Sequence, residues 1–188
     1  MNPSIRLKPL VWHPYIAPVE LFEATPDQLA AMQVTPSATK VSEYVRTLAH
    51  DPESYVARTV LFNAIMYVKG GLARADRELG ALGASLVNGC LFCAVTHARR
   101  HSDLRKNDDL VSSLVLGKPG ELGPRDTAIY NFARRLSVTP SQATSQDIAA
   151  LRAEGMDDVE IIDLIHAISI FGWANRLMHV LGHADTTR

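Results

Sequence analysis

The amino-acid sequence predicts an all-α domain that follows an extended, proline-rich N-terminal arm. From residue 37 onward, apolar residues recur with the three- and four-residue spacing of amphipathic helices, and helix-start and helix-stop signals separate these stretches. Strand-like alternation, internal repeats and glycine-rich phosphate-binding patterns are absent from the sequence. A chain of 188 residues with 47% hydrophobic residues is long enough to bury one sizeable core. We therefore divide it into an arm (1–36), a helical domain (37–182) and a tail (183–188) that is expected to fray.

The arm contains six of the ten prolines of the chain, which prevents long regular structure there. One short helix is predicted, with Thr25 as its cap, Pro26 in its first turn and its end near Met32. The arm is too rich in apolar residues for a disordered tail. We expect it to pack against its own domain or against a neighbouring subunit.

The predicted helices of the domain each begin at a capping residue or a proline, or end at a glycine. They cover approximately residues 37–50, 52–69, 73–87, 90–106, 108–116, 124–139, 146–154 and 157–181. The last helix is apolar nearly all round, which is typical of a helix buried in a core or an interface. His166 is expected to lie within its apolar face, and Asn175 and Arg176 are expected to form interhelical hydrogen bonds.

Both cysteines of the chain, Cys90 and Cys93, lie two residues apart in the segment Asn-Gly-Cys-Leu-Phe-Cys. The Asn-Gly turn predicts that a helix begins at Cys90, so that Cys90, Cys93 and His97 share one face. The positive end of a helix dipole stabilises a thiolate and lowers a thiol pKa. His97 could donate a hydrogen bond to the Cys93 thiolate or accept its proton, and Glu78 could act as a base or orient His97. The segment therefore predicts a dithiol redox centre.

Other interpretations of these residues remain open from the sequence alone. The two cysteines could hold zinc, or they could be inert buried thiols. Glu78 could be a solvated partner of Arg74, and His101 could be a surface histidine or a second relay residue. Covalent haem attachment is excluded, because it requires a histidine directly after the second cysteine, where Ala94 stands. The histidines that could complete a zinc site are His101, His166, His179 and His183.

The spacing Glu78, eleven residues, Cys90-Leu91-Phe92-Cys93, three residues, His97 resembles the alkylhydroperoxidase D (AhpD) motif of the carboxymuconolactone decarboxylase-like superfamily. The segments RADRELGAL and FGWANRLMHVLG are similar to peroxidase-related members, and the resemblance spans about residues 37–182. It implies an AhpD-like helical bundle, assembly into dimers, trimers or hexamers, and thiol peroxidase or disulfide reductase activity. It also implies that Cys93 is the peroxidatic thiol, that Cys90 resolves it and meets an external reductant, and that Glu78 and His97 relay protons.

One position departs from the pattern of that family, which has a further relay histidine immediately before the second cysteine. Phe92 occupies this position here. The expected function is nevertheless a hydroperoxidase without cofactor or metal, recycled by a dithiol reductant protein of lipoyl or thioredoxin type. The alternatives are a disulfide reductase adaptor or redox-responsive subunit, a zinc-stabilised oligomer, and a carboxymuconolactone-type decarboxylase. The last shares the fold but typically lacks the two cysteines.

Composition and charge restrict the partners and the compartment that we expect. A net charge of −1 provides no overall field that would attract nucleic acid or an acidic membrane surface. The longest apolar run falls short of the roughly 20 residues that cross a bilayer, and the N-terminal stretch lacks the apolar core of a signal peptide. We therefore expect a cytoplasmic protein without a membrane or nucleic-acid partner. Substrate is expected to enter through a pocket between subunits, near Phe92 and the arm.

Overall fold

The computed structural model describes residues 7–107, 114–117 and 122–185. These residues confirm the predicted all-α class: they form eight helices and one two-stranded antiparallel sheet. The predicted helix over residues 108–116 falls largely outside the described residues. In chain order the elements are β1 (Trp12–Pro14), α1 (Pro26–Met32), α2 (Glu43–Leu48), α3 (Pro52–Met66), α4 (Arg74–Val87), α5 (Leu91–Arg105), α6 (Pro124–Ser137), α7 (Ser145–Ala153), α8 (Asp158–Leu181) and β2 (Gly182–Ala184).

Capping side chains fix the starts of three helices as predicted. Thr25 caps α1, Asp51 caps α3 by accepting a hydrogen bond from the backbone of Ser54, and Asp157 caps α8. Such a side chain satisfies an amide that has no partner inside the helix. The prediction for α2 was wrong by about five residues, because Ser42 rather than Ser37 accepts the hydrogen bond of the first turn.

Helix α4 lies at the centre of the molecule and packs against α5, α6 and α8. Two glycines allow these close approaches. A Cβ atom at Gly80 would lie 2.9 Å from Leu164 Cδ1 on α8, and one at Gly83 would lie 2.7 Å from the Ala133 Cβ on α6. Ten consecutive residues of α4 are buried as a result, and Asp76 and Glu78 are among them. Glu78 thus lies on the most enclosed helix of the described structure.

Helix α8 supplies the other half of the core. It is the one described helix that is long and apolar enough to cross a membrane, but half of its most apolar window is buried within the protein, as in the core helix of a soluble protein. His166 is exposed on this helix, so its expected place in the buried face was wrong. Ile162 and Trp173 lie on the same side of α8 as His166 and are also exposed.

A buried polar cluster connects α8 to the end of α4, directly before the cysteines. Asn175 is fully buried, accepts a hydrogen bond from Asn88 Nδ2 at 3.0 Å and donates one to Ser85 Oγ at 3.3 Å. His179 reaches the backbone carbonyl of Asn88 at 2.9 Å. The prediction of interhelical hydrogen bonding is confirmed for Asn175. It is wrong for Arg176, which donates to the Gly172 carbonyl of its own helix.

The arm packs against its own domain. Strand β1 pairs with β2, so that Trp12 faces Ala184 and His13 faces His183. These pairs correct the expected fraying of the tail at its first two residues, because backbone hydrogen bonds to the arm hold them. Trp12 is buried in a cluster with both cysteines and Met178, and its ring meets that of Tyr44 edge-on at 5.4 Å. The arm therefore forms one wall of the dithiol environment.

Candidate active site

Glu78 stands on the second turn of α4 and is completely buried. Its Oε1 accepts hydrogen bonds from Arg74, with Nε at 2.8 Å, and its Oε2 contacts Nδ1 of His97. The sequence offered Arg74 only as the partner of a solvated glutamate. In the structure the pairing exists but the carboxylate is not solvated, because α8 and the rest of the core enclose α4.

The charged form of Glu78 is favoured by its partners. Burial acts to raise the pKa of this carboxyl, but hydrogen bonds and charge from His97 and Arg74 outweigh it and hold the pKa below its ordinary value. Glu78 is therefore a carboxylate at neutral pH. A buried carboxylate next to an imidazole fixes the tautomer of the ring, because it requires a proton on the facing nitrogen.

His97 is buried on α5 and is held between this carboxylate and an aromatic ring. Its Nδ1–H donates to Glu78 Oε2, and its ring meets the ring of Phe171 edge-on at 4.3 Å. No described protein atom forms a hydrogen bond with Nε2, and the ring lines a cavity together with Cys93. This arrangement leaves the lone pair of Nε2 available to accept a proton, and Cys93 lines the same cavity.

Cys90 and Cys93 lie at the start of α5, as the sequence predicted. Gly89 adopts a left-handed conformation (φ +70°), which turns the chain between α4 and α5, and the Cys90 amide donates to the Ser85 carbonyl at 2.9 Å. Cys90 is the N-cap of α5, and Cys93 follows in its first turn. Both thiols are free and buried.

The two thiols differ in their affinity for protons. A hydrogen bond from the Cys93 thiol is the main cause that lowers the pKa of Cys90 to about 7, against the opposing effect of burial, and the Cys93 amide and His179 assist. The hydrogen bond to Cys90, burial and the neighbouring negative charge raise the pKa of Cys93. The resting thiolate is therefore at Cys90, whereas Cys93 retains its proton. This division could not be read from the motif, which places both thiols near the helix N-terminus.

The dithiol separates two cavities. The larger has a volume of about 430 Å³ and is lined by Cys93, His97, Phe92 and side chains of α2 and α3. The smaller, of about 240 Å³, is lined by Cys90 and Phe92 and is bounded by β1 and β2. Phe92 thus contacts both cavities, and the arm borders the one at Cys90.

The remaining histidine candidates lie outside the pair formed by His97 and Glu78. His101 is buried rather than on the surface, and its Nδ1 contacts the Ala75 carbonyl at 2.9 Å, so it stabilises the α4–α5 contact. His179 was considered only as a zinc ligand, yet its charge stabilises the Cys90 thiolate. The sequence signal that could have indicated this role of His179 is its position one helical turn after Asn175. Within residues 7–107, 114–117 and 122–185, no group of three His, Cys, Asp or Glu side chains is arranged to hold a metal ion.

The thiolate assignment predicts the pH dependence of alkylation. Iodoacetamide should modify Cys90 with a rate that rises through a midpoint near pH 7, since the thiolate is the reacting species. Cys93→Ala removes the principal donor and should move the midpoint upward, towards or beyond the ordinary value of 9.0. Cys93→Ser retains a hydroxyl donor and should keep it low. Peptide mass mapping identifies the modified residue, and equal midpoints in all three proteins would contradict the assignment.

The lowered pKa of Glu78 also predicts a pH dependence of stability. Because the folded-state pKa lies below the ordinary 4.5, the contribution of Glu78 is present above about pH 4.5 and is lost as the pH falls through the folded-state value. Glu78→Gln should lower the free energy of unfolding at pH 7 by about 1–3 kcal/mol, because Arg74 loses its counter-charge and the Nδ1–H of His97 loses its anionic acceptor. Urea denaturation should show that this difference narrows below pH 4.5. A constant difference from pH 7 to pH 3 would show that the carboxylate charge is not the cause.

Comparisons with known proteins agree with the predicted fold and superfamily. The model of the carboxymuconolactone decarboxylase family matches residues 52–109, which include α3, α4 and α5. A peroxidase-related protein with an AhpD core from Ralstonia eutropha JMP134 is 27% identical, with a TM-score of 0.76, over 90% of this chain and 91% of that one. No curated protein sequence matches the chain.

Two further solved structures share the fold at lower identity. A peroxidase-related protein from Silicibacter sp. TM1040 is 23% identical over 75% of each chain, with a TM-score of 0.66. The debrominase Bmp8 is 17% identical, with a TM-score of 0.67, over 88% of this chain and 89% of that one. At these identities the two likenesses bear on the fold alone. The same helical scaffold is therefore found in proteins described with different activities.

Proposed function

We propose that this chain, which matches the carboxymuconolactone decarboxylase family model over residues 52–109 and is similar to a peroxidase-related protein with an AhpD core, is a thiol-dependent peroxidase that reduces hydroperoxides. One observation carries the proposal: a buried Glu78–His97 pair and the thiol of Cys93 meet at a cavity of about 430 Å³. A carboxylate that orients an imidazole beside a thiol is the arrangement that activates a sulfur nucleophile.

In the first step the hydroperoxide lies in this cavity beside Cys93. Nε2 of His97 takes the proton from the Cys93 thiol, and the Glu78 carboxylate stabilises the resulting imidazolium. The Cys93 thiolate attacks the terminal peroxide oxygen, the O–O bond breaks, and the departing alkoxide receives the proton from His97. Cys93 is oxidised to a sulfenic acid, and the peroxide is reduced to an alcohol.

In the second step the Cys90 thiolate attacks the sulfur of the sulfenic acid. The S–O bond breaks, the hydroxide leaves as water after protonation, and a Cys90–Cys93 disulfide forms. In the reduced pair the Cys93 thiol is the main cause of the Cys90 pKa of about 7, and in this step the Cys93 amide and His179 remain to stabilise the Cys90 thiolate.

An external dithiol returns the pair to its reduced form. One of its thiolates attacks the sulfur of Cys90 from the cavity bordered by the arm, and Cys93 leaves and receives a proton from His97. The second thiol of the reductant then displaces Cys90 as a thiolate, and the reductant becomes a disulfide. We assign the reductant to the lipoyl- or thioredoxin-like class. Because Cys93 holds its proton tightly, protonation by His97 assists its departure.

The position of Phe92 makes His97 the main proton carrier in this scheme. Phe92 lies between the thiols in sequence and contributes an apolar side chain to both cavities. A relay through a second histidine at this position is therefore absent, and protons pass between Cys93 and solvent through His97. The proposed enzyme consequently depends on His97 in both the peroxide and the reductant half-reactions.

The proposed setting is the cytoplasm, where the reductant pool keeps such a dithiol reduced. We also propose a homo-oligomer, which the exposed apolar residues of α3 and α8 support. They include Val60, Leu61, Ile162 and Trp173. An exposed apolar face of this kind is typical of a protein contact.

Stopped-flow oxidation of the reduced protein by cumene hydroperoxide tests the proposed function. The expected second-order rate constant exceeds that of free cysteine thiolate by several orders of magnitude, because the site positions the peroxide at Cys93 and protonates the leaving oxygen. A rate no faster than free thiolate removes the peroxidase proposal. Thiol titration before and after reduction, with elemental analysis for zinc, verifies that the tested protein is the metal-free dithiol.

A second candidate is a disulfide reductase or redox-responsive subunit that does not consume peroxide. The observation in its favour is the thiolate at Cys90 beside its own cavity, since exchange is fastest for a thiol whose pKa is near the ambient pH. Rapid reaction of the reduced protein with lipoamide disulfide, combined with a slow reaction with peroxide, would select this function.

A further inference from the structure

The larger cavity contains a polar region that the proposed chemistry at Cys93 does not use. Its volume of about 430 Å³ lies in the range of small-molecule sites and is far more than hydrogen peroxide requires. Cys93 and His97 occupy one part of its lining. Arg58 and Thr59 of α3, Tyr44 of α2 and Arg100 of α5 also line it.

Three polar atoms of this region are buried without a hydrogen-bond partner among the described residues: the Tyr44 hydroxyl, Thr59 Oγ1 and Arg58 Nε. Buried polar groups in proteins are nearly always paired, and leaving one unpaired is destabilising. Burial raises the pKa of the Tyr44 phenol, so this hydroxyl is a hydrogen-bond donor at neutral pH. The lining of one cavity therefore contains three residues with unpaired hydrogen-bonding groups: Arg58 and Tyr44, which act as donors, and Thr59, whose hydroxyl can also donate.

The charge of the cavity lining is positive. It includes Arg58 and Arg100 but neither an aspartate nor a glutamate. The guanidinium of Arg58 lies 4.2 Å from the ring centre of Phe62, and none of the ion pairs among the described residues involves it. A guanidinium that is oriented by an aromatic ring and has no carboxylate partner is a ready binding group for one.

The rest of the lining is apolar. Its aromatic and aliphatic side chains include Phe62, Phe92, Phe171, Ala174 and Met178. An organic molecule with an apolar body could therefore contact these walls while an anionic group meets Arg58. Water or hydrogen peroxide would leave the apolar part of the cavity unfilled.

We propose that this cavity selects organic hydroperoxides that carry a carboxylate. Arg58 and the Tyr44 hydroxyl bind the carboxylate, while the peroxide group lies at Cys93. The inference rests on the proposed function, whose substrate class it narrows. Arg58 acts here as a specificity-determining residue, and hydrogen peroxide reduction does not require it.

Matched substrates test the inference: para-carboxycumene hydroperoxide, its methyl ester and hydrogen peroxide. The acid should have a kcat/KM about tenfold or more above that of the ester, the range expected for a charge-assisted hydrogen bond. Arg58→Gln should remove this preference and leave the rate with hydrogen peroxide unchanged, while Arg58→Lys should keep part of it. Arg134→Gln is the matched control, because Arg134 also lies over a tyrosine ring, that of Tyr130, but lines a different cavity.

Calorimetric binding of the non-reactive product, para-carboxycumyl alcohol, separates this inference from the proposed function. Binding that depends on Arg58, together with an absence of turnover, supports the carboxylate site and overturns the peroxidase. Rapid turnover with equal rates for acid and ester, or a preference unchanged in Arg58→Gln, overturns the inference and leaves the peroxidase standing. If Arg58→Gln fails to fold, Tyr44→Phe serves as the second variant, because it removes only a hydroxyl. It should reduce the preference for the acid severalfold. An unchanged preference for the acid overturns the inference.

Discussion

Cys93→Ser is expected to abolish hydroperoxide turnover, with a loss of at least about a thousandfold. A serine oxygen is a far weaker nucleophile than sulfur towards the O–O bond and forms no sulfenic acid. The measurement is steady-state peroxide consumption with a dithiol reductant in excess. The variant should fold as the wild type does, because serine is close to cysteine in size.

Cys90→Ser is the informative partner of this variant. Its Cys93 should still reduce one equivalent of peroxide and then remain as a sulfenic acid, which dimedone captures and peptide mass mapping locates. Turnover should stop after that single event, since no resolving thiol is present. Because the resting thiolate lies at Cys90, the reverse assignment, with Cys90 as the peroxidatic thiol, must also be tested. A sulfenic acid trapped on Cys90 in the Cys93→Ser protein would reverse the two roles.

Removing the imidazole should have the second largest effect. His97→Gln is expected to lower kcat/KM for the hydroperoxide by about 10²–10⁴-fold, the usual contribution of general acid–base catalysis. The remaining activity should rise steadily with pH, because solvent must now deprotonate Cys93. Glu78→Gln should produce a smaller loss in the same direction. The double variant should lose less than the two single losses combined, since both residues act through one imidazole.

His101→Gln is the matched control for the imidazole variant. His101 stands one turn from His97 on α5, is equally buried, and contacts a backbone carbonyl instead of Glu78. The substitution should lower the thermal stability by an amount similar to that of His97→Gln and leave the pH profile of peroxide reduction unchanged. If the two variants showed the same kinetic loss, the effect of His97 would be structural and the relay would be refuted.

Local sequence signals predicted much of the fold because helix starts depend on neighbouring residues. Caps such as Asp51 and Asp157 bond to amides three residues away, so the sequence contains the whole interaction. The motif of the site was recognisable for the same reason, since its four residues lie within twenty consecutive positions: Glu78, Cys90, Cys93 and His97. The predicted pairing of Glu78 with His97 agrees with the geometry of the structure.

The features that could not be predicted depend on contacts between distant segments. Burial of Glu78 requires α8, which lies about eighty residues further along the chain. The allocation of the proton between Cys90 and Cys93 depends on burial and on His179, which no local pattern reveals. The unpaired groups of Tyr44 and Arg58 become visible only when α2, α3 and α5 enclose a cavity. Segment-to-segment packing therefore determines the electrostatics of the site, while local signals determine its helices.

The enclosure of α4 by three neighbouring helices has a practical consequence. Glu78 lies on a helix that packs closely against its neighbours at Gly80 and Gly83, which leaves the helix no space to shift. Catalysis would therefore proceed around a fixed carboxylate. Atomic movement during the redox cycle would then be confined to the first turn of α5 and the adjoining strands. Crystals of the reduced protein should consequently remain intact when they are soaked with peroxide. Time-resolved diffraction could then observe successive intermediates in one unchanged lattice.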